Sequence, residues 1–302
     1  MITAASVKGK IQGLIDKANE TTGNADTDLT TAVNALVEGY GKGGGGDDLF
    51  LSLNNQTINE FVATEDMYGI RQYMFYGNAT LKKVDLSKLN ATKTNNKYNF
   101  NGLLGGYCFG GCTALETVIL PEILSNSNSA TWIGERAFLK CTGLKEFITY
   151  YLGYFSSASS SVFQYCSALE KVIIPNFTAS SVNAVFSTCP ALEIVDYAGG
   201  YIGNNWFQND TKLKSLVIRS ESVTNLSNLN AFTGTPFAVG GTGGRCFVSA
   251  ELISQYQEAT NWVTLYEAGT CTFLPLEEYT VDGTLTGEID WDKLNALDEV
   301  TE

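Results

Sequence analysis

Residues 137–149 read AFLKCTGLKEFIT and residues 162–175 read VFQYCSALEKVIIP. Both stretches run on one frame: Phe, Cys three residues later, Leu three later, an apolar residue three later, and a final position two beyond it. Phe138-Cys141-Leu144-Phe147-Thr149 and Phe163-Cys166-Leu169-Val172-Ile174 occupy these slots. Phe109-Cys112-Leu115-Val118-Leu120 and Phe186-Cys189-Leu192-Val195-Tyr197 fit as well. Phe75-Asn78-Leu81-Val84-Leu86 and Phe207-Asp210-Leu213-Leu216-Ile218 fit with Asn and Asp in the Cys slot, and Phe232-Thr235 begins a seventh unit that breaks off. Successive Phe residues lie 34, 29, 25, 23, 21 and 25 residues apart, a period that points to stacked coils.

The last two slots alternate with outward residues, as the two-residue period of a strand requires. One such strand cannot bury its inner face alone. Stacking coils places Phe over Phe and Leu over Leu, so the core grows by one layer per repeat. The Cys slot holds Asn78, Cys112, Cys141, Cys166, Cys189, Asp210 and Thr235, all small residues able to hydrogen-bond or fill a tight turn. A structural ladder is expected of them, since a free Cys packs as a small apolar side chain. Cys108, Cys246 and Cys271 lie off the ladder and receive no role from the pattern.

These units resemble the BspA-like, or treponemal-type, leucine-rich repeats of bacterial proteins. The resemblance covers about residues 49 to 266, and residues 231–265, from AFTGTPFAVGG to ATNWVTL, are similar to the closing unit of such proteins. It implies an α+β solenoid: a leucine-rich-repeat stack with a parallel β-sheet, flanked here by an N-terminal helical hairpin and a C-terminal cap. The expected division is 1–46 for the hairpin and its Gly linker, 47–235 for the repeats and 236–302 for the cap.

The ends differ in kind from the middle. Val7, Ile11, Leu14, Ile15 and Ala18 make one helical stripe, and Leu29, Val33, Leu36, Val37 and Tyr40 make a second, joined at Thr21-Thr22-Gly23-Asn24. That αα-hairpin, tethered by Gly43 to Gly46, either packs on itself and the first coil, or self-associates into a homo-oligomer or docks on a larger assembly. It resembles leader hairpins of tail-associated, prophage-encoded proteins of Gram-positive gut bacteria. At the other end Ser249 is placed to cap a helix, Val281-Asp282-Gly283-Thr284 signals a hairpin turn, and Asp290 to Leu297 reads as a short helix.

Composition excludes several function classes. The 302 residues are 44% hydrophobic and 17% charged, with a net charge of -13, which argues against nucleic acid and anionic lipid as partners. Residues 251–302 carry twelve acids and one base, Lys293, so the acidity belongs to the C-terminal segment. There is no histidine, which removes His-based triads and most zinc sites, and no catalytic residue, metal or cofactor is assigned. Seven cysteines, most in one structural slot, do not make a disulfide framework. The N-terminus lacks the apolar run of a secretion signal and no stretch is long enough to insert in a membrane, so the expected setting is a virion or a cell surface reached by a non-Sec route, with the cytoplasm as the alternative.

Counting outward positions along the strands gives the candidate binding face. Ile119, Ile148 and Ile173 form an apolar row, Val217 extends it, Asp85 and Asp196 stand near its two sides, and Tyr150 and Tyr197 lie at its margin. An apolar row rimmed by Tyr and charge suits a protein or glycan ligand. The expected function is non-enzymatic recognition or adhesion at a bacterial surface, as in a phage-tail component. The alternatives are an oligomerising scaffold and, more remotely, a carbohydrate-active enzyme built on paired carboxylates.

Overall fold

The computed structural model describes residues 57–63, 69–89, 104–121, 131–150, 153–155 and 159–299. The hairpin expected over 1–46 and its Gly linker lie outside the described residues. In chain order the strands are β1 (Glu60–Val62), β2 (Lys83–Asp85), β3 (Thr117–Ile119), β4 (Thr131–Trp132), β5 (Glu146–Ile148), β6 (Gly153–Phe155) and β7 (Lys171–Ala179). They continue as β8 (Ile194–Gly199), β9 (Tyr201–Ile202), β10 (Ser215–Ile218), β11 (Asn225–Leu226), β12 (Gly244–Val248) and β13 (Cys271–Pro275). Three short helices follow the repeats: α1 (Ile253–Glu258), α2 (Trp262–Glu267) and α3 (Trp291–Glu299).

The strands β1-β2-β3 form one parallel sheet. A larger one runs β13-β12-β10-β8-β7-β6-β4, with β5 also paired to β7. The ladder continues past residue 235: β12 pairs in parallel with β10 and β13 with β12. The seventh unit is therefore completed, with Cys246 aligned on Leu216 and buried as the inward anchor of its strand.

The phenylalanines form the expected column. Ring centroids of Phe75, Phe109, Phe138, Phe163, Phe186, Phe207 and Phe232 follow one another at 5.3–5.6 Å, with planes within 16° of parallel. Leu81, Leu115, Leu144, Leu169, Leu192 and Leu213 are buried beside it. Each buried Phe or Leu contributes about 1.5–3 kcal/mol, and only if the next coil is present to cover it.

The turn around each Phe carries a backbone ladder of its own. The amide of Phe75, Phe109, Phe138, Phe163, Phe186 and Phe207 donates to the residue just before the Phe of the next coil, at 2.8–2.9 Å. Cys108 is one of those acceptors, and its buried side chain stands in an inward column with Ala137, Val162, Val185, Trp206 and Ala231. That column gives Cys108 a packing role. Two backbone positions per coil are left-handed. The residue two before Phe has φ of 53–59° in six coils, and the residue two after it has φ of 58–76° in seven. Gly77, Gly111 and Gly234 fill the second position at no steric cost.

The Cys slot closes the ladder. The thiols of Cys112, Cys141, Cys166 and Cys189 donate to the carbonyl of the preceding coil's Phe at 3.0–3.1 Å. Burial pushes the Cys112 thiol up to about 12 and drives Cys141 and Cys189 well above their ordinary value, so these thiols are unreactive.

Asp210 reverses the polarity of the slot, its Oδ1 accepting from the amide of Cys189 at 2.6 Å. Its other oxygen, Oδ2, meets no hydrogen-bond partner among the described residues. Burial drives this carboxyl well above its ordinary value, against a smaller opposing pull from the Cys189 amide. A group raised in the folded state contributes stability that is complete below its unfolded pKa of about 4 and is lost as pH rises through the folded value. Asp210→Asn keeps the acceptor and removes the titration. In urea unfolding the variant should therefore gain stability relative to wild type between pH 4 and pH 8, and a pH-independent difference would rule this account out.

Candidate functional site

Strand register brings the candidate residues onto two runs of aligned positions, one in each sheet. Asp85 pairs with Ile119, Ile148 with Ile173, Ile173 with Asp196, Asp196 with Val217, and Val217 with Phe247. Exposure changes abruptly among them. Ile119 is 38% exposed, Ile148 41% and Tyr150 59%, with Asp85 half-buried beside Ile119. Ile173, Asp196, Tyr197 and Val217 are buried, contrary to the expectation that they face a ligand.

For Val217 and Asp196 the cause is the C-terminal segment. Leu276, Ile289 and Leu294 form an apolar cluster with Ile194, Val217 and Phe247 of the sheet, flanked by Leu274, Tyr279, Leu285, Trp291 and Leu297. Phe247 meets Tyr279 edge-on at 4.9 Å, and Lys171 Nζ lies 4.3 Å from the centre of the Trp291 ring. Arg245 donates to the carbonyl of Leu297 at 2.9 Å. This segment is thus a strap across the outer face of the later strands. The open end of the stack is served by other residues: Tyr256, Trp262 and Leu265 of α1 and α2 are buried in the main core.

Local sequence explains how the strap holds its shape. Gly283 takes a φ of 73° in the expected turn, where Thr284 donates to Asp282 Oδ1 and Val281 to Glu288. Asp290 Oδ1 accepts from the Lys293 amide at 3.2 Å and so caps α3. The hydroxyl of Ser249 makes no cap; it donates to Glu277 at 3.2 Å and joins the end of β12 to the strap's first turn.

Asp196 is buried on the outer face for a specific reason. Arg219 Nε and Nη2 donate to its two carboxylate oxygens at 2.7 and 2.9 Å, with both side chains buried. Arg219 Nη1 donates onward to the carbonyls of Leu285 and Gly287 at 3.0 and 2.7 Å. Burial pushes the Asp196 carboxyl above its ordinary value, and the hydrogen bonds and charge of Arg219 limit the rise. The pair therefore fastens the strap to the sheet. Arg219 was not among the candidates, although it stands one position past the paired Tyr197 and Ile218, with its charge opposite to Asp196. Tyr197 fills the last inward slot of its own repeat and packs on Trp206 at 5.6 Å.

The chemistry of the row is that of a contact surface. Among the described residues no cluster of three His, Cys, Asp or Glu side chains could hold a metal ion, and no helix is long and apolar enough to cross a membrane. The outward residues beside Ile119 and Ile148 are engaged with each other, Lys83 with Glu60 at 2.6 Å and Lys171 with Glu146 at 3.9 Å.

A stack of short parallel strands, each preceded by a Phe turn and a buried Leu, defines a leucine-rich-repeat solenoid. Within that class, residues 50–131 and 102–237 match the BspA type leucine-rich repeat region in six copies, and the chain belongs to that family. A leucine-rich repeat protein from Bacteroides ovatus ATCC 8483 is similar in structure, at 17% identity and a TM-score of 0.34 over 63% of this chain. The match spans 55% of the length of that protein. No curated protein matches the chain.

Removing one partner of a buried ion pair leaves a charge stranded, whereas replacing both by apolar residues does not. Arg219→Ala should cost about 3–5 kcal/mol in urea unfolding, and Asp196→Leu combined with Arg219→Met should recover most of it. A single-variant loss comparable to that of an exposed ion pair would show that the pair does not fasten the strap.

Proposed function

We propose that the chain is a non-enzymatic recognition protein that meets its ligand on the part of the sheet face left uncovered by the strap. The observation that carries this is the contrast in exposure among the outward strand positions of the two sheets. Val217 and Phe247 are covered by the chain's own apolar residues, while Ile119 and Ile148 remain exposed with Tyr150 beside them. A face that gains stability by apolar burial at one end offers the same interaction to a second molecule at the other. The paired charges of Lys83 with Glu60 and Lys171 with Glu146 form a polar rim, as binding surfaces commonly have. The partner is a protein or glycan at a bacterial surface.

Two measurements test this reading. Purified intact chain, fluorescently labelled, should stain intact bacterial cells. The double variant Ile119→Asp, Ile148→Asp should lose about tenfold or more in affinity, as expected when a charge enters an apolar contact, with an unchanged circular dichroism spectrum. Equal staining by the variant would move the ligand off this face.

The narrower setting, a tail-associated component of a phage or prophage, is supported by the resemblance of residues 1–46 to tail-associated leader hairpins. On that reading the chain sediments with particles induced from its host strain and a chain lacking residues 1–46 does not. Recovery only in the free protein fraction would favour the scaffold alternative, in which the hairpin joins copies of the chain to one another.

A further inference from the structure

The column of left-handed residues two before each Phe holds Tyr73, Tyr107, Arg136, Ser161, Ala184 and Asn205. A left-handed conformation costs an L-residue roughly 1–2 kcal/mol, least for Asn. The later coils meet that demand with small or turn-forming residues. The first three use large planar groups, and those groups add nothing to the core from there: Tyr73 is 46% exposed.

They stack on one another instead. The rings of Tyr73 and Tyr107 lie 5.0 Å apart and 22° from parallel, and the Arg136 guanidinium sits 5.4 Å from the centre of the Tyr107 ring while donating to a tyrosine hydroxyl, that of Tyr107. Tyr76, 43% exposed, meets both rings edge-on at 5.7 and 5.9 Å. Tyr76 rests against Gly110, where a Cβ would approach its ring to 3.1 Å. The exposed Gln72 borders the platform, its amide 3.6 Å from where a Cβ on Gly106 would stand. Arg136 is balanced by Glu135 at 2.8 Å.

We propose that this platform, on the turns preceding β2, β3 and β5 and separate from the sheet face, is a binding site for an uncharged carbohydrate. The exposed rings of Tyr73 and Tyr76 offer an electron-rich surface against which the C–H face of a pyranose packs, with Tyr107 held between Tyr73 and Arg136 as their support. They lose little conformational freedom because two torsions fix them. The mutual stacking fixes them further before any ligand arrives, which lowers the cost of binding. Sugar hydroxyls both donate and accept, and the tyrosine hydroxyls, the Gln72 amide, Glu135 and Arg136 supply both complements. The Glu135–Arg136 pair leaves the platform without a net charge to attract a charged polymer, which favours a neutral glycan over a charged peptide.

The site is tested with intact chain on an array of neutral and charged oligosaccharides, followed by calorimetric titration of the tightest neutral binder. Tyr73→Asn and Tyr107→Ser install residues that the same column already carries at Asn205 and Ser161, so the backbone conformation is kept. Each should weaken binding about tenfold or more, while the melting temperature stays close to that of wild type. Gly110→Ala, which displaces the Tyr76 ring without removing any aromatic group, should weaken binding as well. The double variant Ile119→Asp, Ile148→Asp should bind the glycan as wild type does, which separates this site from the sheet face. Binding of no neutral glycan, binding of charged glycans alone, or equal binding by the tyrosine variants would overturn the proposal, leaving the stack a structural feature of the first coils.

Discussion

The ring of Phe138 lies 5.4 Å from that of Phe109 and 5.3 Å from that of Phe163, nearly parallel to both. Each ring is buried by its neighbours in the adjacent coils, so no coil completes its own core. The backbone follows the same rule: the amide of each Phe from Phe75 to Phe207 finds its acceptor one coil further on, and the thiols of Cys112, Cys141, Cys166 and Cys189 find theirs one coil back. Side-chain burial and hydrogen bonding are thus satisfied between repeats, and the fold's cohesion lies in that nearest-neighbour contact.

A stack held together this way has two costs: an open last layer and an outer sheet face with no further coil to cover it. The chain answers them with separate pieces, α1 and α2 in the core and the strap on the face. The strap reaches only part of the face, and this unequal coverage gives the molecule two kinds of surface among its outward strand positions. Ile194, Val217 and Phe247 serve stability, and Ile119 and Ile148 stay available.

The repeats were legible because every constraint on them recurs. Phe, the small slot, Leu and the two strand anchors each meet the same surroundings in the next coil, so counting residues recovered the inward positions and the aligned outward row. What repeats could not disclose was coverage by something unrepeated. Val217 and Asp196 do occupy outward strand positions, yet a segment of different composition, far along the chain, determines whether that side faces solvent. Two signals were present in the sequence. The acidic segment carries Leu276, Leu285, Ile289, Trp291, Leu294 and Leu297, more apolar residues than an end cap alone requires. Tyr197, by its own repeat frame, was an inward residue from the start. The tyrosine platform was hidden for another reason: the frame begins at Phe, and residues ahead of it look like loop until the left-handed turn shows that they stack.

The charge of the strap also follows from how it is held. Residues 251–302 carry twelve acids, but the basic side chains reaching the strap from the strands bind it elsewhere: Lys171 on the Trp291 ring, Arg219 on the carbonyls of Leu285 and Gly287, and Arg245 on that of Leu297. Carbonyl and ring contacts partly shielded from water are screened far less by salt than exposed ion pairs. Glu277 accepts from Ser249, and the exposed acids leave a negative outer surface, which disfavours association of copies through the covered side. That asymmetry leaves the stretch around Ile119 and Ile148, where Lys83 and Lys171 are paired with Glu60 and Glu146, as the part of the face on which a second molecule meets least electrostatic resistance.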